Sequence, residues 1–148
     1  MYPSPHPSPG GQDGSFCWVD LAASDAGAAR RYYEQLFGWR AHDQKTNGGV
    51  FTRLSVAQDD GKGHDVGSLY QLQRLHLDAG VPSHWTPYVR VADTDRSVEL
   101  AEALGGKIMV RPFTVPGLAR IAVVLDPVGA HVGLWQPVRS VSHGGVFG

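Results

Sequence analysis

The 148-residue sequence holds a single cysteine, Cys17, so no internal disulfide can form and no multi-cysteine zinc or iron–sulfur site can be built. Charge of one sign is also missing. Thirteen Lys and Arg stand against fourteen Asp and Glu, a formal net charge of −1, and no basic run appears. A phosphate-binding field is therefore absent and nucleic acid is not an expected partner. No apolar stretch reaches membrane-spanning length, and the first residues lack a basic start followed by an apolar signal core. The expectation is a cytoplasmic domain that meets neither membrane nor nucleic acid. G-x-G-x-x-G, G-x-x-x-x-G-K-[ST], C-x-x-C, G-x-S-x-G, H-x-x-x-H and H-E-x-x-H do not occur, which leaves phosphate cofactors and covalent catalysis without support. Charged residues make up 18%, below the usual quarter, while the 42% hydrophobic content suffices for a core.

Proline, glycine and serine concentrate at the two ends. Residues 1–14, MYPSPHPSPGGQDG, read as a flexible leader, and residues 138–148 have the same character, with Val146 and Phe147 as apolar residues able to dock elsewhere. Between them lies one domain, residues 15–137. Phe16–Ala22 reads as a strand. Asp25 is a good N-cap for a helix whose apolar stripe runs Ala29, Tyr32, Tyr33, Leu36, Phe37, with Gly38 as its stop. Strands are expected at Trp39–Lys45, at Val50–Ala57 after Asn47-Gly48-Gly49, and at Asp65–Leu72 after Asp59-Asp60-Gly61. The same order then recurs. His84–Val91 is a strand, Asp93 caps a helix with Val98, Leu100, Ala101 and Leu104, and Gly105-Gly106 end it. Strands follow at Lys107–Phe113, Ala119–Leu125 and Ala130–Gln136. Asp25 and Asp93, Leu36 and Leu104, Gly38 and Gly106 all lie 68 positions apart, so the domain is a duplicated βαβββ unit: module one 15–72, linker 73–83, module two 84–137.

Asp25, YYEQLFGW (Tyr32–Trp39), GVPSHW with YVRVAD (Gly80–Asp93), Leu104-Gly105-Gly106 and DPVGA (Asp126–Ala130) together resemble the vicinal oxygen chelate superfamily, which holds glyoxalases, bleomycin-resistance proteins and extradiol dioxygenases. The GSLYQL and GVPSHW stretches further resemble a small hydroxylase-labelled branch. The resemblance implies an α+β fold of two tandem βαβββ modules whose sheets curl around a shared cavity, and a homodimer is common among its members. Metal-dependent members place His, Gln or Glu at four strand positions. Those positions land here on Trp18, Ser68, Thr86 and Gly133, which form no ligand set for a divalent ion. The usual metal site is accordingly expected to be absent, and no cofactor is expected.

Strand alternation separates an aliphatic face, as in Val19 and Leu21, from a mixed face carrying Trp18, Asp20, Thr86, Tyr88, Arg90, His131 and Trp135. A face of that composition suits a cavity that stacks a planar guest and orients it with a few polar groups. The candidate catalytic residues are Asp20, Tyr88 and His131; the candidate substrate contacts are Trp18, Tyr70, Thr86, Arg90, Phe113 and Trp135. Each has a structural alternative. The tryptophans fill space between sheets, Asp20 is solvated or bridges to Arg90, Tyr88 is a packed aromatic, and His131 faces solvent after its turn. His84 caps its strand or binds, and Cys17 is a buried thiol. The leading expectation is a metal-independent protein that sequesters an aromatic or polycyclic small molecule, with FTVPGL (Phe113–Leu118) as a lid. The alternative is a cofactor-free enzyme of secondary metabolism, with Asp20 as base and Tyr88 or His131 donating to an enolate, running an isomerisation, cyclisation or elimination. A metal lyase or dioxygenase with ligands displaced to His84, His131, Glu34 or Asp20, and a domain acting through protein contacts, rank lower.

Overall fold

The computed structural model describes residues 11–46, 49–57, 61 and 63–138. Most of the N-terminal leader, nearly all of the C-terminal tail with Val146 and Phe147, and parts of the Asn47-Gly48-Gly49 and Asp59-Asp60-Gly61 turns lie outside them. In chain order the elements are β1 (Phe16–Ala23), α1 (Ala26–Phe37), β2 (Arg40–Thr46), β3 (Gly49–Ala57), β4 (Gly63–Gln71), α2 (Arg74–Asp78), β5 (His84–Arg90), α3 (Thr94–Ala103), β6 (Lys107–Val115), β7 (Ala119–Leu125) and β8 (His131–Pro137). The α+β duplication is therefore present, βαβββ twice. No helix among the described residues is long and apolar enough to cross a membrane.

The chain forms two compact units, one of Val19–Thr86 and one that joins Trp18 and the residues before it to Pro87 and those after it. In the first, the strands lie in the order β2-β3-β4-β1, with β1 parallel to β4 and the other pairs antiparallel. In the second the order is β5-β8-β7-β6, again with β5 parallel to β8. A parallel pair needs a crossover connection, and the helix following β1 or β5 begins it. Both helices start as their capping residues dictate. The Asp25 carboxylate accepts from the Ala28 N–H at 3.0 Å and that of Asp93 from the Arg96 N–H at 3.1 Å.

The duplication is visible in the pairing register. In the first module Asp20 lies opposite Ser68, Leu21 opposite Leu69 and Ala22 opposite Tyr70. In the second, Tyr88 lies opposite Gly133, Val89 opposite Leu134 and Arg90 opposite Trp135. Alternation then sorts the faces. Leu21, Ala23, Leu54 and Leu69 pack with Ala26, Ala29 and Tyr33 of α1. Val98 and Ala101 of α3 pack with Ala122, Val124 and Leu134 in the same way.

Several details differ from the sequence expectations. The α1 stripe buries less than its width: Ala29 and Tyr33 pack on the sheet, while Tyr32, Leu36 and Phe37 stay more than half exposed. Tyr33 is the hub of a ring cluster with Phe37, Trp39 and Trp85 at centroid distances of 5.4–5.9 Å. The α3 helix ends earlier than α1, so the left-handed stop that Gly38 provides falls at Gly105 (φ 99°) rather than at Gly106. Gly106 is required for another reason, since a Cβ there would sit 2.7 Å from the Leu125 carbonyl oxygen. The linker 73–83 contains the five-residue α2, whose Gln73 makes no side-chain cap. Finally β6 runs on to Val115, with Phe113 opposite Ile121 and Val115 opposite Ala119. Half of the expected FTVPGL lid is thus ladder, held by backbone hydrogen bonds, and the loop shrinks to a turn at 116–118.

Gly133 is the tightest point of the second module, because a Cβ on it would overlap the Tyr88 ring. Gly133→Ala is expected to lower stability by about 1–3 kcal/mol, the usual cost of overpacking, and Tyr88→Leu in the same chain to return part of that loss. Urea denaturation of the two single variants and the double variant measures both effects.

Candidate functional site

The polar centre of the first unit follows from its register. Ser68 lies opposite Asp20 on β1 and opposite Arg53 on β3, and Arg53 lies opposite His42 on β2. Residues directly opposite in a ladder share a face. A single row, His42–Arg53–Ser68–Asp20, therefore crosses all four strands on the face away from α1. Tyr70 is two residues along from Ser68 on that face, opposite Ala22.

Asp20 is 4% exposed. Ser68 Oγ donates to Asp20 Oδ1 at 2.6 Å, a short bond of the kind that hydroxyls make to carboxylates. Burial disfavours the charged form and raises the Asp20 pKa to about 6; the Ser68 bond and the nearby His84 act in the opposite direction and only partly offset it. His84 itself donates from Nδ1 to the Pro82 carbonyl oxygen at 2.8 Å. Burial, followed by the negative charge of Asp20, pushes the Tyr70 hydroxyl up to about 12, so Tyr70 keeps its proton at neutral pH. Thr86 is buried on β5.

Arg53 was not singled out from the sequence. Its Nη1 donates to Asp65 Oδ2 at 3.2 Å and the side chain is 38% exposed. Its Nε is shut off from solvent and meets no acceptor among the described residues. Leaving such a donor buried and unpaired costs about 1–3 kcal/mol.

The remaining candidates lie in the other unit. Trp18 stacks on Trp135 at a centroid distance of 4.5 Å, and Tyr88 meets Trp135 edge-on at 6.0 Å. Tyr88 and Trp135 are 3% and 7% exposed, so these rings spend much of their surface on one another. Arg90 Nε donates to Asp13 Oδ1 at 3.2 Å and forms an ion pair with it. His131 opens β8 opposite Leu125, and Phe113 sits in β6 opposite Ile121. Cys17 is half-buried and its thiol is pushed up to about 11 by burial, with Arg90 opposing. The corresponding row of this unit reads Val110–Val123–Gly133–Tyr88. The same sheet plan is built there with no charged side chain, so the fold does not call for the polar row of the first module.

Trp18, Ser68, Thr86 and Gly133, the strand positions to which the resemblance assigned metal ligands, offer no imidazole, carboxylate or thiolate, and this donor set does not fit a divalent ion. Among the described residues no three His, Cys, Asp or Glu side chains gather in a way that would hold a metal.

Two βαβββ modules with parallel closing pairs define a glyoxalase-type α+β domain. The chain belongs to the Glyoxalase/Bleomycin resistance protein/Dioxygenase superfamily, whose family model matches residues 15–134. It is similar to CFP32 of Mycobacterium tuberculosis, a protein with a provisional glyoxylase name, at 32% identity over 84% of this chain and 46% of that protein. It is equally similar to the anthracycline biosynthesis protein DnrV of Streptomyces peucetius, at 32% identity over 83% of this chain and 47% of DnrV. The chain thus spans about half the length of these relatives. Among solved structures, the Streptomyces coelicolor methylmalonyl-CoA epimerase in complex with 2-nitronate-propionyl-CoA superposes with a TM-score of 0.60 at 17% identity, covering 86% of this chain and 100% of the epimerase chain. The Mn(II)-bound glyoxalase of Novosphingobium aromaticivorans gives 0.52 at 16% identity, covering 84% of this chain and 39% of that one. These two likenesses are of fold.

The Asp20 shift has a consequence for stability. A carboxyl of pKa near 4 unfolded and about 6 folded binds more protons in the native state between those values. Stability is therefore full below pH 4, falls as pH rises through the window, and has lost about 3 kcal/mol above the folded pKa. Asp20→Asn does not titrate, so its urea midpoint relative to wild type is expected to rise between pH 4.5 and pH 7.5.

Proposed function

We propose that this domain is a metal-independent acid–base enzyme of secondary metabolism that acts on a planar aromatic ketone. One observation carries the reading: Asp20 is buried on the polar row, hydrogen-bonded by Ser68, at a position where the repeated module has Tyr88. A carboxyl of pKa about 6 is ionised at neutral pH yet more basic than a solvated aspartate, which suits removal of a proton from carbon beside a carbonyl. Ser68 holds Oδ1 and so directs the remaining lone pairs of the carboxylate. Tyr70, still protonated, is the donor on the same face for the oxygen on which the enolate charge develops. Isomerisation, cyclisation and elimination all begin with that step. The names of DnrV and DauV, both anthracycline biosynthesis proteins, support an aromatic polycyclic substrate class. The donor set at the four strand positions supports chemistry without a metal.

Sequestration of an aromatic guest is the weaker reading, because Trp18, Tyr88 and Trp135 pack on each other. The test is exchange of the C2 protons of 1-tetralone in D2O, followed by proton NMR. Wild-type protein is expected to accelerate exchange, chelator treatment to leave the rate unchanged, and Asp20→Asn to lower it roughly a hundredfold or more. The rate is expected to climb with pH and level off above about 6. An Asp20→Asn rate equal to wild type overturns the assignment.

A further inference from the structure

We infer that His84 is the proton relay of this site, the residue through which Asp20 hands to solvent the proton that it takes from the substrate. The inference rests on the acid–base reading and adds the group that resets the base after each transfer. Asp20 is 4% exposed, so its carboxyl has little direct access to water, and a bound ligand leaves it less. A buried base that has taken a proton from carbon holds it until a neighbour carries it away.

The backbone brings His84 to that place. Ser24, at the end of β1, is tied on both sides: Gln71 Nε2 donates to its carbonyl oxygen at 2.8 Å, and its N–H donates to Ser83 Oγ at 2.9 Å. Ser83 Oγ also donates to Ser24 Oγ at 3.1 Å. Tyr70 precedes Gln71 and His84 follows Ser83, so the tie holds both at one end of β1, on the flanking strands β4 and β5. All of these residues belong to the Val19–Thr86 unit. His84 shares a face with buried Thr86, two residues on, and its charge acts on Asp20.

The imidazole is set for the task. Nδ1 donates to the Pro82 carbonyl oxygen at 2.8 Å, which fixes the tautomer and makes Nε2 the basic nitrogen. The residue is only half-buried, between the closed carboxyl and solvent. Histidine ordinarily changes charge nearest neutral pH, the range to which burial brings Asp20, so a proton passes either way without a large driving force. Asp20 gives the proton taken from carbon to Nε2, forming an imidazolium, and the imidazolium releases it to water. The internal duplicate lacks both ends of this path. The 68-residue repeat pairs Asp20 with Tyr88 and His84 with Phe16, so carboxyl and imidazole are present together in one unit and absent together from the other.

The test is C2 exchange of 1-tetralone in D2O by wild type, His84→Asn and His84→Ala, with and without imidazole buffer, after subtraction of the protein-free rate. Asparagine keeps a side-chain donor for the Pro82 carbonyl but relays no proton. Both variants are expected to exchange roughly tenfold or more slowly than wild type. Imidazole is expected to restore much of the His84→Ala rate while leaving wild type and Asp20→Asn unchanged. Circular dichroism checks that each variant is folded, and either one alone decides the rate comparison. A His84→Asn rate equal to wild type overturns the inference, as does a His84→Ala loss that imidazole does not restore. Wild-type exchange that depends on Asp20 but not on His84 overturns this inference alone; wild-type protein that exchanges nothing overturns the acid–base reading with it.

Discussion

The parallel closure of each module, β1 on β4 and β5 on β8, is the constraint on which the rest of the structure depends. Strands joined by tight turns pair antiparallel with their neighbours in sequence. Bringing the first strand back against the last requires the chain to cross over, and the helix begins that crossing. The closure decides which residues of distant sequence become neighbours. Asp20 and Ser68 are 48 residues apart and share one hydrogen bond because of it.

From that closure the electrostatics follow. The β1·β4 register puts a serine hydroxyl against a carboxylate already cut off from water, and the antiparallel β3·β4 register adds a guanidinium on the next strand. Burial raises the Asp20 carboxyl and the Tyr70 hydroxyl, and the carboxylate adds to the rise of Tyr70. In the other module the equivalent registers collect valine, glycine and tyrosine, and the result is packed apolar surface. One backbone plan thus yields a charged face or an uncharged one according to four side chains.

Much of the fold was legible in the chain. Asp25 and Asp93 announce their helices because an N-cap is a local event, settled within four residues. The alternation of β1 correctly separated Asp20 from Leu21 for the same reason. What escaped was whatever depends on register. Arg53 stands between Thr52 and Leu54 in a strand that reads, alone, as having an ordinary solvent-facing charge. Its membership of a row with Ser68 and Asp20 is created by two separate strand pairings and by the bulge at Leu54/Ser55. The extension of β6 to Val115 was hidden similarly, since Pro116-Gly117 marks a turn without saying how far pairing continues. Arg90 turned to Asp13, a residue placed in the leader on composition.

The asymmetry between the modules is also one of energetic cost. A buried carboxylate is a burden for a domain of marginal stability. The second module repeats the strand plan with an equivalent row that carries no charged side chain. The uncharged row keeps its tight ring packing, Gly133 against Tyr88, while the charged row carries the cost of burying Asp20.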